Sequence, residues 1–405
     1  MPTTTVSFQN AHGESLSGRL VLPDTRRAHA YALFAHCFTC TKNFAATRNV
    51  AAALAERGIA TLVFDFTGLG NSEGEFADSN FSTNVDDLVA AARYLETEHG
   101  TPTLLVGHSL GGTAVLKAAG SLPEVRAVAT IGSPSHAGHV EHLVAKDAGK
   151  IEREGEAEVL LAGRPFTVKK QFLDDIRQSP VLDDVASLRK ALLVLHAPLD
   201  DTVEISNATD LFIKAHHPKS FVSLDDADHL LSNADHSRYA GHVIATWAEK
   251  YIGTAPAGIE AVPGATVART GSDGFTTEVN AAGHVFYADE PASVGGNDVG
   301  PAPYDLLSAA LATCTTMTLK MYADRKKWPL EASTVTVWHE KIHAKDCADC
   351  SSDENARVDV FERELKVEGD LDDAQRARLL EIADRCPVHR TLHGEVKVRT
   401  SLADN

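Results

Sequence analysis

Short apolar runs, separated by polar or helix-prone stretches, recur through the first 250 or so residues of the chain. Runs of roughly four to eight apolar residues predict buried strands. They occur at residues 31–35, 103–106, 191–195 and 221–224, and a helix-prone run at 113–119 follows the second of them. Residues 136–180 have less alternation and more charge, which predicts a small lid inserted between the last core strands.

The pattern changes after the helix-prone stretch that contains Trp247. Proline, glycine and alanine recur through residues 253–264, which predicts a linker. We therefore predict three segments: a first domain at residues 1–252, a linker at 253–263 and a second domain at 264–405.

The second domain has its own strand and helix pattern. Alternating segments at residues 276–280 and 284–288 predict paired strands. Residues 303–319 are apolar nearly all round, which predicts a buried central helix that contains Cys314.

The sequence G-H-S-L-G-G lies between the strand at residues 103–106 and the helix-prone run. It places Ser109 on a sharp strand-to-helix turn, where a Cβ at Gly107 or Gly111 would collide across the turn. In this context G-x-S-x-G is a nucleophile elbow, so the pattern predicts that Ser109 is a nucleophile.

Two later loops supply the partners that a serine nucleophile needs. Asp200 follows the strand at residues 191–195, with Asp201 as the alternative, and His229 follows the strand at residues 221–224. We predict that Ser109 attacks an acyl carbonyl while His229 takes its proton and Asp200 orients the imidazole. The product would be an acyl-enzyme that water then hydrolyses.

Backbone N–H groups must stabilise the negative charge that develops on the acyl oxygen. Leu110 is one expected donor, and Phe38, in the loop after residues 31–35, is the other. With the D-x-x-G-x-G-x-S-x-G pattern at residues 65–74, these motifs resemble the α/β-hydrolase family over residues 1 to roughly 250. The resemblance implies an α/β fold with a doubly wound, mostly parallel sheet. Cys37 and Ala197 stand where the family usually has glycine.

Motifs of the second domain resemble the OsmC/Ohr family over about residues 264 to 403. They are the Pro-x-acidic-Leu-Leu start at residues 303–307, Cys314 in the helix, and a second helix ending around Cys386. The resemblance implies an α+β domain that forms a homodimer. It also implies that Cys314 attacks an organic hydroperoxide, that Cys386 then forms a disulfide with it, and that a dithiol reductant restores both thiols.

The same resemblance implies a polar partner at Asp305 and an arginine that stabilises the thiolate. Arg269 is the nearest candidate, although its surroundings lack the glycines of the family pattern. The alternative is that Cys314 is a small buried apolar residue and that Cys386 only begins a turn.

A third set of residues consists of His339, His343, Cys347 and Cys350. Four such ligands could hold a tetrahedral zinc ion, although the spacing fits no standard zinc module. A second dithiol that relays electrons to Cys314, or a loop without function, are the alternatives. No cofactor is otherwise expected.

Composition excludes several classes of partner. Lys and Arg number 38 against 56 acidic residues, and a net charge of −18 disfavours nucleic acid and anionic membranes. No apolar run approaches the ~18 residues of a membrane span, and the N-terminus lacks an export signal, so we expect a cytoplasmic protein. The six cysteines should then be reduced, and Cys37 and Cys40 should merely pack around the loop.

These features predict a serine hydrolase of carboxylic esters or thioesters, fused to a thiol-dependent organic hydroperoxide reductase. The alternative is an esterase whose second domain is a non-catalytic module for dimerisation and ligand binding.

Overall fold

The computed structural model describes most of the chain, namely residues 1–24, 28–37, 40–161, 164–254, 258–272, 274–343 and 357–403. The chain divides into two compact units, Met1–Ala257 and Gly258–Asn405. None of the described helices is long and apolar enough to cross a membrane.

The described part of the first unit contains an eight-stranded sheet and a separate two-stranded hairpin. The strands in chain order are β1 (Thr3–Gln9), β2 (Ser15–Val21), β3 (Ala30–Ala35), β4 (Ile59–Phe64), β5 (Pro102–His108), β6 (Ala127–Ile131), β7 (Glu156–Leu161), β8 (Arg164–Lys169), β9 (Ala191–His196) and β10 (Lys219–Ser223).

The large sheet has the spatial order β1-β2-β4-β3-β5-β6-β9-β10. β2 pairs antiparallel with β1 and β4, whereas every other neighbouring pair in this sheet is parallel. The predicted doubly wound, mostly parallel sheet is therefore confirmed. Because the parallel strands share one direction, the loops after β3, β5, β9 and β10 all leave the same edge of the sheet.

Helices cover both faces of this sheet. They are α1 (Ala45–Glu56), α2 (Phe81–Glu98), α3 (Leu110–Ala118), α4 (Ala145–Glu154), α5 (Lys170–Arg177), α6 (Val181–Ser187), α7 (Ile205–Lys214) and α8 (Ala234–Ile252). Successive side chains of a strand point to opposite faces. Leu33 of β3 accordingly joins the core beneath α2 and α3, whereas its neighbour Phe34 joins the core beneath α1 and α8.

The segment at residues 136–180 lies between β6 and β9, and it has more regular structure than its sequence indicated. A 3₁₀ helix at Ala137–Val144 precedes α4, and β7 and β8 form an antiparallel hairpin. Ala157, Val159 and Leu161 of β7 are buried and alternate with exposed residues. They join the core beneath α2 and α3, so the hairpin is packed onto the body of the unit.

The second unit is smaller and has an α+β composition, as predicted. Its elements are β11 (Thr266–Thr270), β12 (Thr277–Ala281), β13 (His284–Ala288), α9 (Pro303–Lys326), β14 (Leu330–His343), β15 (Arg357–Gly369), α10 (Asp373–Ala383) and α11 (Pro387–Leu392). β11, β12 and β13 form one antiparallel sheet, and β14 pairs antiparallel with β15.

Residues 303–319 form a helix, as predicted, but the prediction that this helix is buried is wrong among the described residues. α9 buries one stripe of side chains at a spacing of four, namely Leu311, Thr315, Leu319 and Ala323. Met317 and Met321, on other sides of the helix, are 65% and 73% exposed. An apolar helix surface therefore exists that the described residues of this chain leave exposed.

A buried polar cluster ties three parts of the first unit together. Thr67, in the loop after β4, donates its backbone N–H and its hydroxyl to the Asp87 carboxylate of α2, at 2.9 and 3.1 Å. Asn10, at the turn between β1 and β2, donates to the same carboxylate at 3.3 Å. Burial raises the pKa of Asp87 to about 6 from its ordinary 3.8, against the opposing effect of the hydrogen bonds from Thr67 and Asn10.

The titration of Asp87 predicts a dependence of stability on pH. The folded chain holds this proton to a higher pH than the unfolded chain, so the carboxyl group contributes stability below about pH 4 that is lost as the pH rises through about 6. Replacing Asp87 by Asn should remove about 1–3 kcal/mol of this change in the free energy of unfolding. Urea unfolding at pH 4.0 to 6.5 measures it. The exposed neighbour Asp86, replaced by Asn, is the control, and equal slopes in the two variants would contradict the assignment.

Candidate active site

Ser109 occupies a strained turn between β5 and α3. Its φ is +56° and its ψ is −129°, in a region that residues with a side chain rarely adopt. A Cβ on Gly107 would lie 2.4 Å from the Gly111 carbonyl oxygen, and a Cβ on Gly111 would lie 2.4 Å from the carbonyl oxygens of Ala35 and His36. Only glycine therefore fits at both positions, and the turn presents the Ser109 side chain at the edge where the parallel strands end.

The structure brings Ser109, His229 and Asp200 together. His229 Nε2 lies 3.1 Å from Ser109 Oγ, and His229 Nδ1 lies 2.8 Å from Asp200 Oδ2. Because an ionised carboxylate only accepts, the His229 proton belongs on Nδ1, which leaves Nε2 free to accept from the Ser109 hydroxyl. His229 and Asp200 are both buried.

Asp200, rather than Asp201, is the carboxylate in contact with the imidazole. Its Oδ1 accepts the backbone N–H groups of Thr202 and Val203 at 2.9 and 2.8 Å. Burial acts to raise the pKa of Asp200, but the hydrogen bonds from His229, Val203 and Thr202 outweigh it and hold that pKa below its ordinary value. Asp201 is exposed and contacts the Thr202 hydroxyl.

Two further buried histidines hold the loops of this site, a role that the sequence motifs did not indicate. His108 Nε2 donates to the His229 carbonyl at 2.7 Å, and His196 Nε2 donates to the Val203 carbonyl at 2.7 Å. Burial, followed by the nearby charge of His229, lowers the pKa of His108 to about 4. Burial is also the main cause of the lowered pKa of His196. Both rings are therefore neutral near pH 7 and act as hydrogen-bond donors.

Leu110 begins α3, where a backbone N–H has no partner within the helix, as a charge-stabilising donor requires. The second expected donor, Phe38, lies outside the described residues. The residues on either side of this gap are described. Cys37 and Cys40 form a disulfide with a Cα–Cα distance of 5.2 Å, so the expectation of reduced thiols that merely pack there is wrong for this pair.

Asp65 anchors the far end of the same loop. Its carboxylate accepts the backbone N–H of Lys42 at 2.7 Å, the N–H of Asn71 at 3.0 Å and the Lys42 ammonium group. A Cβ on Gly70 would lie 2.2 Å from Asp65 Oδ2. The carboxylate that begins the pattern at residues 65–74 thus links the loop after β3 to the loop after β4 by hydrogen bonds.

In the second unit, Cys386 lies in a polar network that contains an arginine. Cys386 is buried, and its Sγ accepts the backbone N–H of His389 at 3.3 Å. The Thr315 hydroxyl lies 3.6 Å from the same sulfur, and Arg363 Nη1 donates to that hydroxyl at 3.0 Å. Arg363 of β15 also pairs with Asp384 at 2.7 Å. Arg269, considered from the sequence, is instead exposed on β11 opposite Glu278.

Cys314 is half-buried on α9, next to Thr315. The structure does not bring Asp305 to it, because the two lie nine positions apart on the helix, a rise of roughly 13 Å. Asp305 instead accepts the backbone N–H of Ala302 at 3.0 Å and caps the start of the helix.

Two of the four predicted zinc ligands, His339 and His343, lie within the described residues. Cys347 and Cys350 lie outside the described residues. His339 Nε2 lies 2.9 Å from Asp359 Oδ1, and its ring stacks on Tyr304 with the centroids 4.1 Å apart. His343 ends β14. Among the described residues, no group of three His, Cys, Asp or Glu side chains is placed to hold a metal ion.

Comparison with known proteins agrees with both halves of this description. The family model described as serine aminopeptidase S33 matches residues 28–152, and the model described as OsmC-like protein matches residues 295–401. The uncharacterized protein YfhR of Salmonella typhimurium is 24% identical over 216 residues, which are 53% of this chain and 69% of that protein.

Two solved structures are similar to the first unit. The esterase domain of a Rhodothermus marinus protein is 49% identical, with a TM-score of 0.53, over 62% of this chain and 100% of that domain. Est1E from Butyrivibrio proteoclasticus, solved with ferulic acid, shares the fold at 20% identity and a TM-score of 0.51, over 61% of this chain and 99% of that protein. The chain belongs to the α/β-hydrolase family in its first unit and carries an OsmC-like domain in its second.

Proposed function

We propose that the first unit is a serine esterase that hydrolyses carboxylic esters or thioesters through an acyl-enzyme on Ser109. The observation that carries this proposal is the continuous hydrogen-bonded series from Asp200 through His229 to Ser109, on a strained turn at the carboxyl edge of the sheet. The 49% identity to a domain described as an esterase supports the same activity.

The reaction follows from these contacts. Ser109 Oγ attacks the acyl carbonyl and gives its proton to His229 Nε2, while Asp200 stabilises the imidazolium that forms. His229 then protonates the leaving alcohol or thiol, and the acyl group remains on Ser109. Water enters, gives a proton to His229, and releases the acid. The Leu110 N–H and the expected Phe38 N–H stabilise the oxyanion in both steps.

For the second unit we propose thiol-dependent reduction of an organic hydroperoxide. The Cys314 thiolate attacks the peroxide oxygen, which releases an alcohol and leaves a sulfenic acid. Cys386 then attacks the Cys314 sulfur, which releases water and forms a disulfide, and an external dithiol reduces that disulfide. Arg363, one hydroxyl group away from Cys386, supplies a positive charge beside this chemistry. Neither reaction, as proposed, uses a metal or another cofactor.

We also propose that two chains associate through the OsmC-like domain. Its buried core, among the described residues, consists of Leu319, Leu371, Leu379, Ile382 and Ala383. Against this small core, Met317, Met321 and Trp338 are 65%, 73% and 51% exposed. Exposed apolar surface of this extent on one unit is typical of an interface between chains.

Paired aspartate variants test the esterase. Asp200→Asn should lower kcat for p-nitrophenyl butyrate by about 1,000- to 10,000-fold, because the amide no longer holds His229 in the tautomer that accepts from Ser109. Asp201→Asn should stay within about twofold of the wild type, because Asp201 does not contact His229.

Covalent labelling completes this test. A fluorophosphonate should add to the wild type at Ser109 and not to Ser109→Ala, with the modified peptide identified by mass spectrometry. Equal loss of activity in both aspartate variants, or labelling of Ser109→Ala, would refute the assignment.

Consumption of cumene hydroperoxide with dithiothreitol tests the second activity. Turnover by the wild type should be lost in Cys314→Ser, because serine cannot be oxidised by the peroxide, whereas the exposed neighbour Thr313, replaced by Ser, should keep it. If the wild type does not turn over, the OsmC-like domain is a module for dimerisation or ligand binding.

Sedimentation equilibrium tests the association of chains. The wild type should sediment at twice the chain mass of 43.3 kDa, and Met321→Glu should shift it to the monomer, because a charge would be buried without a partner. Leu160, which is 72% exposed on the first unit, is the matched control, and Leu160→Glu should stay dimeric. A monomeric wild type would rule out the association.

A further inference from the structure

The 3₁₀ helix at Ala137–Val144, in the segment between β6 and β9, contributes a side chain to the loop that carries Asp200. His139 Nε2 lies 3.0 Å from the Thr202 carbonyl oxygen. Because a carbonyl oxygen only accepts, the imidazole donates this hydrogen bond. His139 is half-buried, and none of the motifs that predicted the site contains it.

Packing fixes the position of this 3₁₀ helix. Three of its residues are buried in the core beneath α2 and α3, namely Ala137, Val140 and Val144. A fourth, Glu141, pairs with Arg177 of α5, whose Nε lies 3.1 Å from Glu141 Oε2. The helix is therefore a firm support for the His139 side chain.

One peptide unit lies between His139 and the Asp200 carboxylate. The Thr202 carbonyl and the Val203 N–H belong to this unit, and its planar trans geometry points the two groups in opposite directions. The carbonyl accepts from His139, and the N–H donates to Asp200 Oδ1 at 2.8 Å. Hydrogen bonds in series through one peptide unit polarise each other, so the imidazole strengthens the N–H bond that the carboxylate accepts.

The same peptide unit sets which oxygen of Asp200 meets the imidazole of His229. Oδ1 accepts the N–H groups of Thr202 and Val203, so Oδ2 faces His229 Nδ1, at 2.8 Å. Burial acts to raise the pKa of Asp200, and the hydrogen bonds from His229 and Val203 are the leading effects that hold that pKa below its ordinary value. A group that orients this peptide unit therefore acts on both the charge and the direction of the carboxylate.

We propose that His139 is a positioning residue for the Ser109 reaction. Through the peptide unit between Thr202 and Val203, it keeps Asp200 Oδ2 turned toward His229. The proposal rests on the esterase activity proposed above. The 3₁₀ helix then supplies part of the support of the catalytic carboxylate, in addition to covering the body of the unit.

The effect should appear in kcat and not in substrate binding. When Ser109 attacks, a positive charge forms on His229, and Asp200 stabilises that charge best while Oδ2 faces the ring. A carboxylate that is less well oriented stabilises the transition state less, whereas the acyl substrate binds as before. The loss should therefore be similar for esters with short and long acyl chains.

Two amides of different reach test this in the full-length chain. Glutamine carries its amide nitrogen at the ε position, as the donor nitrogen of His139 is, whereas the asparagine nitrogen is one bond closer to the backbone. His139→Asn should lower kcat about tenfold for both p-nitrophenyl butyrate and p-nitrophenyl decanoate, with KM changed by less than about twofold. His139→Gln should restore kcat to within about threefold of the wild type.

His142→Asn is the matched control. His142 is an exposed imidazole of the same 3₁₀ helix, but its Nδ1 bonds to the His139 carbonyl oxygen, within the helix. This variant should keep kcat within about twofold of the wild type.

A second background separates action through Asp200 from a general loss of structure. In Asp200→Asn the carboxylate is already gone, so adding His139→Asn should lower kcat by less than about twofold, against about tenfold in the wild type.

Hydrogen exchange provides a readout that needs no substrate. Mass spectrometry of peptides that span residues 199–205 follows the amides of Thr202 and Val203. Their exchange should be at least about threefold faster in His139→Asn and close to that of the wild type in His139→Gln. His139→Leu, which keeps the bulk of the ring and removes the donor, serves if His139→Asn does not fold.

Three results would overturn the proposal. They are a folded His139→Asn protein with the kcat and amide exchange of the wild type, an equal loss of kcat in the Asp200→Asn background, and a change confined to KM or to the long ester. The last result would place His139 in the acyl pocket. A wild type that hydrolyses no ester would instead reject the esterase, and the exchange rates would still show whether His139 holds the peptide unit.

Discussion

The hydrolase unit depends on a lack of space at the turn after β5. Neither Gly107 nor Gly111 can carry a side chain. A Cβ on Gly107 would meet the backbone of Gly111 across the turn, and a Cβ on Gly111 would meet the backbone at the end of β3. This close approach keeps Ser109 at a positive φ, and conformations of that kind cost about 1–3 kcal/mol and persist only where the surroundings enforce them. The same approach places the loop after β3 beside the nucleophile, so one contact positions the serine and the loop expected to stabilise the oxyanion.

Neutral imidazoles hold the remaining loops of the site. This arrangement needs no buried counter-ion, but it makes the stability of the fold depend on pH. A neutral ring can donate one N–H to a buried carbonyl without a counter-ion, as His108 and His196 do. Because folding lowers the pKa of His108 to about 4, its contribution to stability is complete above about pH 6.5 and is lost as the pH falls toward 4. Asp87 titrates in nearly the same range with the opposite sign, so the two effects partly cancel in the intact protein.

The sequence predicted the sheet and the association of Ser109, Asp200 and His229 because both follow from order along the chain. Parallel strands bring the loops at their carboxyl ends to one edge, whatever the loops contain. Arg363 could not be predicted in this way, since its contact with Thr315 depends on how the β14–β15 hairpin packs on α9. The Cys37–Cys40 bond was also missed, because the expectation of a reducing environment says nothing about two cysteines that the backbone already holds within 5.2 Å. The error on α9 has a different origin. An apolar surface all round a helix indicates burial, but it does not say whether the cover comes from the same chain.

That uncovered surface has a thermodynamic consequence. A unit whose own core contains few large side chains gains little free energy from folding alone, and whatever covers Met317, Met321 and Trp338 adds to it by mass action. The resistance of the OsmC-like domain to unfolding should therefore vary with the concentration of the chain. The hydrolase unit has two large cores of its own, so its resistance to unfolding should not change on dilution. Within a single polypeptide, the stability of one unit would then be independent of the protein concentration, whereas the stability of the other would depend on it.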